Sequence, residues 1–192
     1  VTLEHSLRQL EETGTLGNFD VAAQGRREGF KGYVFQDSDA YKALEAIAFA
    51  LATDPDAELS ARFDAIVDRI AKAQQPDGYL NTSYLVTRPG TRFVNLRDDH
   101  ELYCAGHLFE AAAAHWQATG KKNLLDIATR YADLLVRTFG EGEGKRDGYC
   151  GHPEIELALV KLGRATGKAE YLELARWFVA RRGTKFFARE HG

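Results

Sequence analysis

An all-α fold follows from three features of the sequence: apolar residues recur at helical spacing through most of the chain, strand signals are scarce, and one short turn occurs twice. Ala118-Thr119-Gly120-Lys121 returns 47 residues later as Ala165-Thr166-Gly167-Lys168, and at that offset Leu125 meets Leu172 and Ala128 meets Ala175. A period of this length with two helices in it describes a helical repeat, either an open solenoid or a closed ring of hairpins.

Each element has its own signals. Asp37, Ser38 and Asp39 offer caps to a helix over 38–53, in which Tyr41, Leu44, Ala48 and Leu51 share one face. After Thr53-Asp54-Pro55-Asp56, the residues Leu59, Phe63, Ile66, Val67 and Ile70 carry a second helix over 57–75 until Gln75-Pro76 stops it. A second pair, 100–118 and 121–138, is joined at Thr119-Gly120, where glycine takes the left-handed conformation that ends a helix. The third pair, 152–165 and 168–182, repeats this join, and no element is expected from Thr184 to Gly192. Turns inside the hairpins are short, whereas the connections 76–98 and 139–151 are long. In an up-and-down array these long segments belong at one end, beside the starts of the helices near 38, 100 and 152, and such segments carry function.

Composition narrows the partners. The charges, 25 Lys plus Arg against 28 Asp plus Glu, are interspersed and sum to -3, which gives no footing for nucleic acid or an acidic membrane. The longest apolar run, Ala46 to Ala52, is far below the roughly 20 residues that span a bilayer. Cys104 and Cys150 are read as free thiols in a reducing, cytoplasmic compartment. The chain has no methionine and is expected to be a piece of a longer protein.

The densest reactive cluster is His100 to His107. Spacing puts His100, Cys104 and His107 on one helical stripe, but the pattern is not that of a zinc protease, in which two histidines lie four apart. Cys104 and His107 are read as core, the histidine with a local hydrogen bond, while His100, at the helix start, is read as facing a ligand. His152 precedes a proline at the next hairpin's start, so the two imidazoles suggest a common target such as sugar hydroxyls, to which a neutral ring both donates and accepts. They are expected to converge near Tyr79 or Asp39. Glu154 and Glu156 are read as acids favoured by the helix dipole, and Asp37 and Asp39 as caps. Phe30, Tyr33, Phe35 and Tyr79 could stack on a sugar or fold into the end of the bundle.

Several motifs occur in order: Gly29-Phe30-Lys31-Gly32, Phe35-Gln36-Asp37-Ser38-Asp39, Gln74-Gln75-Pro76-Asp77-Gly78-Tyr79-Leu80-Asn81-Thr82, His100 to His107, and Gly151-His152-Pro153-Glu154-Ile155-Glu156-Leu157-Ala158-Leu159. Together they resemble glycoside hydrolase family 127, the beta-L-arabinofuranosidase family. The resemblance implies antiparallel hairpins forming about half of an (α/α)6 toroid over 1–192, with the rest of the barrel and any β-sandwich domains absent. It implies release of beta-L-arabinofuranose, or a related sugar, from plant-type glycans with retention, through a cysteine nucleophile beside a zinc ion held by glutamate and cysteine, with a glutamate as acid and base. Those groups belong to the later half of the barrel, so no catalytic residue, metal ligand or bound zinc is expected in this chain. His100, His152 and Gln9 are the implied sugar-binding residues, the last within Leu7-Arg8-Gln9-Leu10-Glu11. The implied partner is a carbohydrate, and association through the open flank of the half barrel is expected. Two other readings stay open: a toroidal sugar epimerase or lyase, and a non-catalytic helical-repeat module that binds protein.

Overall fold

The computed structural model describes residues 2–191. All six expected helices are present: α3 (Asp37–Thr53), α4 (Ala57–Ala73), α6 (Glu101–Thr119), α7 (Asn123–Thr138), α8 (Ile155–Thr166) and α9 (Ala169–Arg181). Four further helices join them. The N-terminal segment forms a fourth hairpin, α1 (Thr2–Glu12) and α2 (Thr15–Ala23), turned at Gly14 with φ 80°. A short α5 (Thr82–Thr87) lies within the first long connection. The expectation of no element after Thr184 was wrong, because α10 spans Phe186–His191 and its Phe186 and Phe187 rings pack against Tyr149. Among the described residues there is no strand, only an isolated bridge between Phe139 and Arg146.

The hairpins stack in two rows. In the front row α1 packs on α3, α3 on α6, and α6 on α8; in the back row α2 packs on α4, α4 on α7, and α7 on α9. The hairpins α1–α2, α3–α4, α6–α7 and α8–α9 tie the rows together, making a curved array of four pairs rather than three. Helix α6 sits at its centre and is buried on nearly every side from Glu101 to His115, and its run Ala111 to Ala114 is small enough for neighbours to approach closely. No helix among the described residues is long and apolar enough to cross a membrane.

The repeated turn does the same work twice. Gly120 and Gly167 end α6 and α8 in the left-handed conformation, with φ 73° and 74°. The lysine after each reaches back to the preceding back-row helix: Lys121 Nζ donates to Asp64 at 2.6 Å and Lys168 Nζ to Asp133 at 2.7 Å. Each pair contributes little to stability, about 0–1 kcal/mol, but each sets the register of one hairpin on the next.

One buried group in this array is destabilising under acid. His115 is fully buried and stacked on Phe63, ring centroids 3.8 Å apart, and neither ring nitrogen has a hydrogen-bond partner. Burial pushes its pKa down to about 4. The unfolded chain therefore binds a proton between pH 6.5 and 4 that the folded chain refuses, so stability is lost as pH falls through that window. His115→Phe keeps the ring and removes the titration. Thermal and urea unfolding at pH 7.5 and 5 should show the variant losing about 2 kcal/mol less than the parent chain between the two conditions; equal losses would mean the ring is solvated or paired.

Candidate sugar-binding site

The site is built on the starts of three front-row helices. Buried contacts hold those starts together. Asp37, the first residue of α3, accepts hydrogen bonds from the Thr82 backbone N–H at 2.7 Å and from the Thr82 hydroxyl. It is therefore a staple between α3 and α5 rather than the expected cap of its own helix, which has no side-chain cap. Burial pushes its carboxyl up to about 6, against the pull of those two bonds. Glu101, the first residue of α6, accepts from Tyr79 Oη and from the Phe93 N–H at 2.7 Å, and burial pushes it up to about 7. Gly151, before α8, donates its N–H to the Leu96 carbonyl at 3.0 Å and lies so close to the Arg97 carbonyl that a Cβ would sit 2.1 Å from that oxygen.

The motif from Gln74 to Thr82 is thus a brace. Gln74 donates to the Gly78 and Ile127 carbonyls, Gly78 presses against the Arg130 carbonyl, and Asn81 caps α5 by accepting from the Tyr84 N–H. Tyr79 is fully buried behind Glu101, which excludes it from stacking on a ligand. Phe30 packs against the core.

From this braced end the histidines project together. The rings of His100 and His152 lie 4.6 Å apart, Phe35 lies 5.2 Å from His100, and Tyr33 stacks on Phe35 at 5.3 Å. Tyr103 touches both histidines, at 5.6 and 5.4 Å. The rings converge as expected, but their neighbours are Phe35 and Tyr103 rather than Tyr79, and Asp39 is linked to them only through Lys42, which bonds Tyr103. His100 occupies the residue before α6 with φ 59°, a left-handed conformation that bulky side chains rarely adopt and that collects at functional sites. Its Nδ1–H donates to the Asp98 carbonyl, which in the neutral ring leaves Nε2 as an acceptor. His152 is exposed, and α8 begins only at Ile155, so His152 and Pro153 sit in the approach to the helix rather than in its first turn.

The wall continues toward the N-terminus. Lys42 of α3 donates to Tyr103 Oη at 2.9 Å and lies 4.0 Å from Asp39. Asp39, Lys42 and Gln36 line one groove with Gln9 of α1. Gln9 donates to Glu12 at 2.7 Å and shares this groove with Lys42, which bonds the Tyr103 that touches both histidines. Lys42 and Tyr103 were not foreseen. Tyr103 was legible as the residue three after His100 and four before His107, whereas Lys42 enters only because α3 packs on α6.

Other expectations need correction. His107 has no hydrogen-bond partner at either ring nitrogen, contrary to the local bond expected of a core histidine. Glu154 and Glu156 are not simple helix-terminus acids: Glu154 turns toward His107, and Glu156 accepts two bonds from Arg182. Cys104 is buried, as expected of a core thiol.

Residues 1–191 match the family model described as beta-L-arabinofuranosidase, GH127 catalytic domain. The chain belongs to this family. Over 183 residues it is 47% identical to the non-reducing end beta-L-arabinofuranosidase of Bifidobacterium longum subsp. longum, a match that covers 91% of this chain and 28% of that protein. Its fold superimposes on a GH127 beta-L-arabinofuranosidase from Geobacillus stearothermophilus T6 with TM-score 0.94 and 47% identity, over 98% of this chain and 31% of the other. A further GH127 beta-arabinofuranosidase matches with TM-score 0.92 and 40% identity, over 96% and 30%. The GH127 chain thus spans less than a third of the length of these relatives, and its rows are an arc of the α/α toroid.

The zinc implied by the GH127 resemblance does not fit the thiols present. Burial pushes Cys104 well above the ordinary thiol range and Cys150 up to about 12, so neither is poised as a thiolate. Among the described residues, the one grouping of His, Cys, Asp and Glu able to surround a cation contains no cysteine. No catalytic step through a thiolate-bound metal is assigned to this chain.

Proposed function

We propose that this chain forms the sugar-holding wall of a longer beta-L-arabinofuranosidase and leaves the cleavage chemistry to residues outside it. The observation that carries this reading is the convergence of His100 and His152 beside Tyr103 and Phe35 on a braced helix end. An imidazole whose Nδ1–H is held by a carbonyl offers Nε2 to a sugar hydroxyl, and the aromatic faces of Tyr33 and Phe35 suit the apolar face of a sugar ring. Gln9, Asp39 and Lys42 add hydrogen-bonding groups along the same wall. Family membership favours this hydrolase over an epimerase, a lyase or a protein-binding repeat.

Burial raises the pKa of both thiols, the opposite of the lowering that activates a cysteine nucleophile. Leu157 of α8 and Val179 of α9 are more than half exposed on the last hairpin, which supports further packing on that flank. The test sets this chain beside the full-length enzyme, with an aryl beta-L-arabinofuranoside as substrate. Turnover is expected only from the longer protein. Comparable turnover by the chain of 192 residues, abolished by Cys104→Ser or Cys150→Ser, would place the nucleophile here and overturn the reading.

A further inference from the structure

Next to the histidine pair lies a group of side chains to which the sugar reading gives no role. The Tyr103 ring that touches His100 and His152 also meets His107 edge-on at 4.5 Å. Beyond it, His107 faces Glu110 of its own helix and Glu154 from the start of α8. His107 Nδ1 lies 3.4 Å from Glu154 Oε1 and 3.9 Å from Glu110 Oε2, and the three donor atoms fall within 4.8 Å of one another. In a tetrahedral site with metal–ligand bonds of about 2.1 Å, donors stand about 3.4 Å apart. One pair already has that spacing, and modest side-chain rotations bring in the third.

Charge and satisfaction point the same way. Three carboxylates, Glu45, Glu110 and Glu154, crowd together; Lys161 is within ion-pair distance of Glu45 and Glu110, and Glu154 feels its charge only from farther away. Lys161 bonds the other Glu110 oxygen, Oε1, and lies 3.9 Å from Glu45, so it does not fill the space between Oε2 and His107. Both nitrogens of His107 and the Glu154 Oε1 are buried without a hydrogen-bond partner. Burial, with help from the Lys42 charge, holds the imidazole in its neutral, metal-binding form, while burial and the Glu110 carboxylate push Glu154 upward. Room for Glu154 depends on Gly106, where a Cβ would meet Glu154 Cγ at 2.6 Å.

We propose that His107, Glu110 and Glu154 form a site for one divalent cation of the zinc class, bound through nitrogen and oxygen donors without a thiolate. It differs in donor set from the cysteine-held zinc implied by the family resemblance, and it narrows the expectation of no bound ion to no thiolate-bound ion. The proposal does not rest on the sugar reading. Imidazole with carboxylates suits Zn²⁺, Co²⁺ or Mn²⁺.

The test uses the chain after chelator treatment, titrated calorimetrically with Zn²⁺, and with Co²⁺ followed by absorbance. One equivalent should bind, and the Co²⁺ complex should show ligand-field bands without the near-ultraviolet charge-transfer band of a thiolate. Glu154→Gln, which preserves the shape of the protonated acid, and His107→Ala should each weaken binding at least tenfold, with unfolding curves recorded to confirm the fold. The Cys104→Ser/Cys150→Ser double variant and His152→Ala should leave the affinity unchanged. The absence of saturable binding would overturn the site, as would a thiolate band, an affinity unaffected by Glu154→Gln and His107→Ala, or one lost in His152→Ala.

Discussion

In the full-length enzyme, His100→Ala and His152→Ala are each expected to lower kcat/KM on an aryl beta-L-arabinofuranoside by about 10- to 100-fold. On the proposed reading each removes a hydrogen-bonding ring from the sugar, and leaving a sugar hydroxyl without its partner costs about 1–3 kcal/mol, with about 1.4 kcal/mol to each tenfold. The two rings lie 4.6 Å apart and share Tyr103, so the double variant should lose less than the product of the single effects. Stability separates a binding role from a structural one. His152 is exposed, so its alanine variant should unfold like the parent. His100 has φ 59°, a conformation glycine tolerates, so His100→Gly should fold as well as His100→Ala or better and still lack activity. Unchanged kcat/KM in either alanine variant would remove that histidine from the sugar site.

The second large effect is on folding. Gly78 has φ 98°, and a Cβ there would lie 2.3 Å from the backbone oxygen of Arg130 on α7. A carbonyl in the middle of a helix cannot step aside as a flexible side chain can. Gly78→Ala is therefore expected to combine about 1–3 kcal/mol of backbone strain with about 1–3 kcal/mol of overpacking. Because Gly78 anchors the segment that presents Tyr79 to Glu101, the start of α6 and the left-handed His100 should be disturbed with it. Gly120→Ala is the control: φ is 73°, but nothing lies within 4 Å of its Cβ position. Only the backbone part, about 1 kcal/mol, should remain. Urea unfolding of both variants measures the difference, and equal losses would mean that the Arg130 contact is not rigid.

An (α/α) toroid serves many chemistries, so the fold alone does not choose a hydrolase over an epimerase or lyase. Identity of 47% over nearly the whole chain to beta-L-arabinofuranosidases places the chain in their family, and it is this membership, not the fold, on which the proposed hydrolase reading rests.

Much of the architecture was legible because its causes are local. Tyr41, Leu44, Ala48 and Leu51 make a face at helical spacing whatever they pack against, and Gly120 and Gly167 stop helices by their own backbone freedom. His100 and His152 stand at equivalent points of neighbouring hairpins, and hairpins stacked in register bring equivalent points together. The N-terminal pair was harder to read: α1 carries Leu3, Leu7 and Leu10 at helical spacing, but α2 is short, contains Gly17 and Asn18, and holds its form by packing on α4 and α5.

What only the tertiary structure decided is which polar groups face a ligand and which brace the frame. Asp37, Tyr79 and Glu101 have the residue types of a sugar site, yet they are spent on one another's helices, because a buried carboxyl must find donors wherever the fold brings them. Lys42 and Glu154 carry no such promise in the sequence, and they join Tyr103 and His107 only because α3, α6 and α8 lie side by side. The sequence by itself determined the six main helices and the repeated glycine turn, since each follows from residues within a few positions of one another, and the repeat placed His100 and His152 at equivalent helix starts. Partners for side chains dozens of residues apart, as in Asp37 with Thr82 or His107 with Glu154, exist only once the rows have packed.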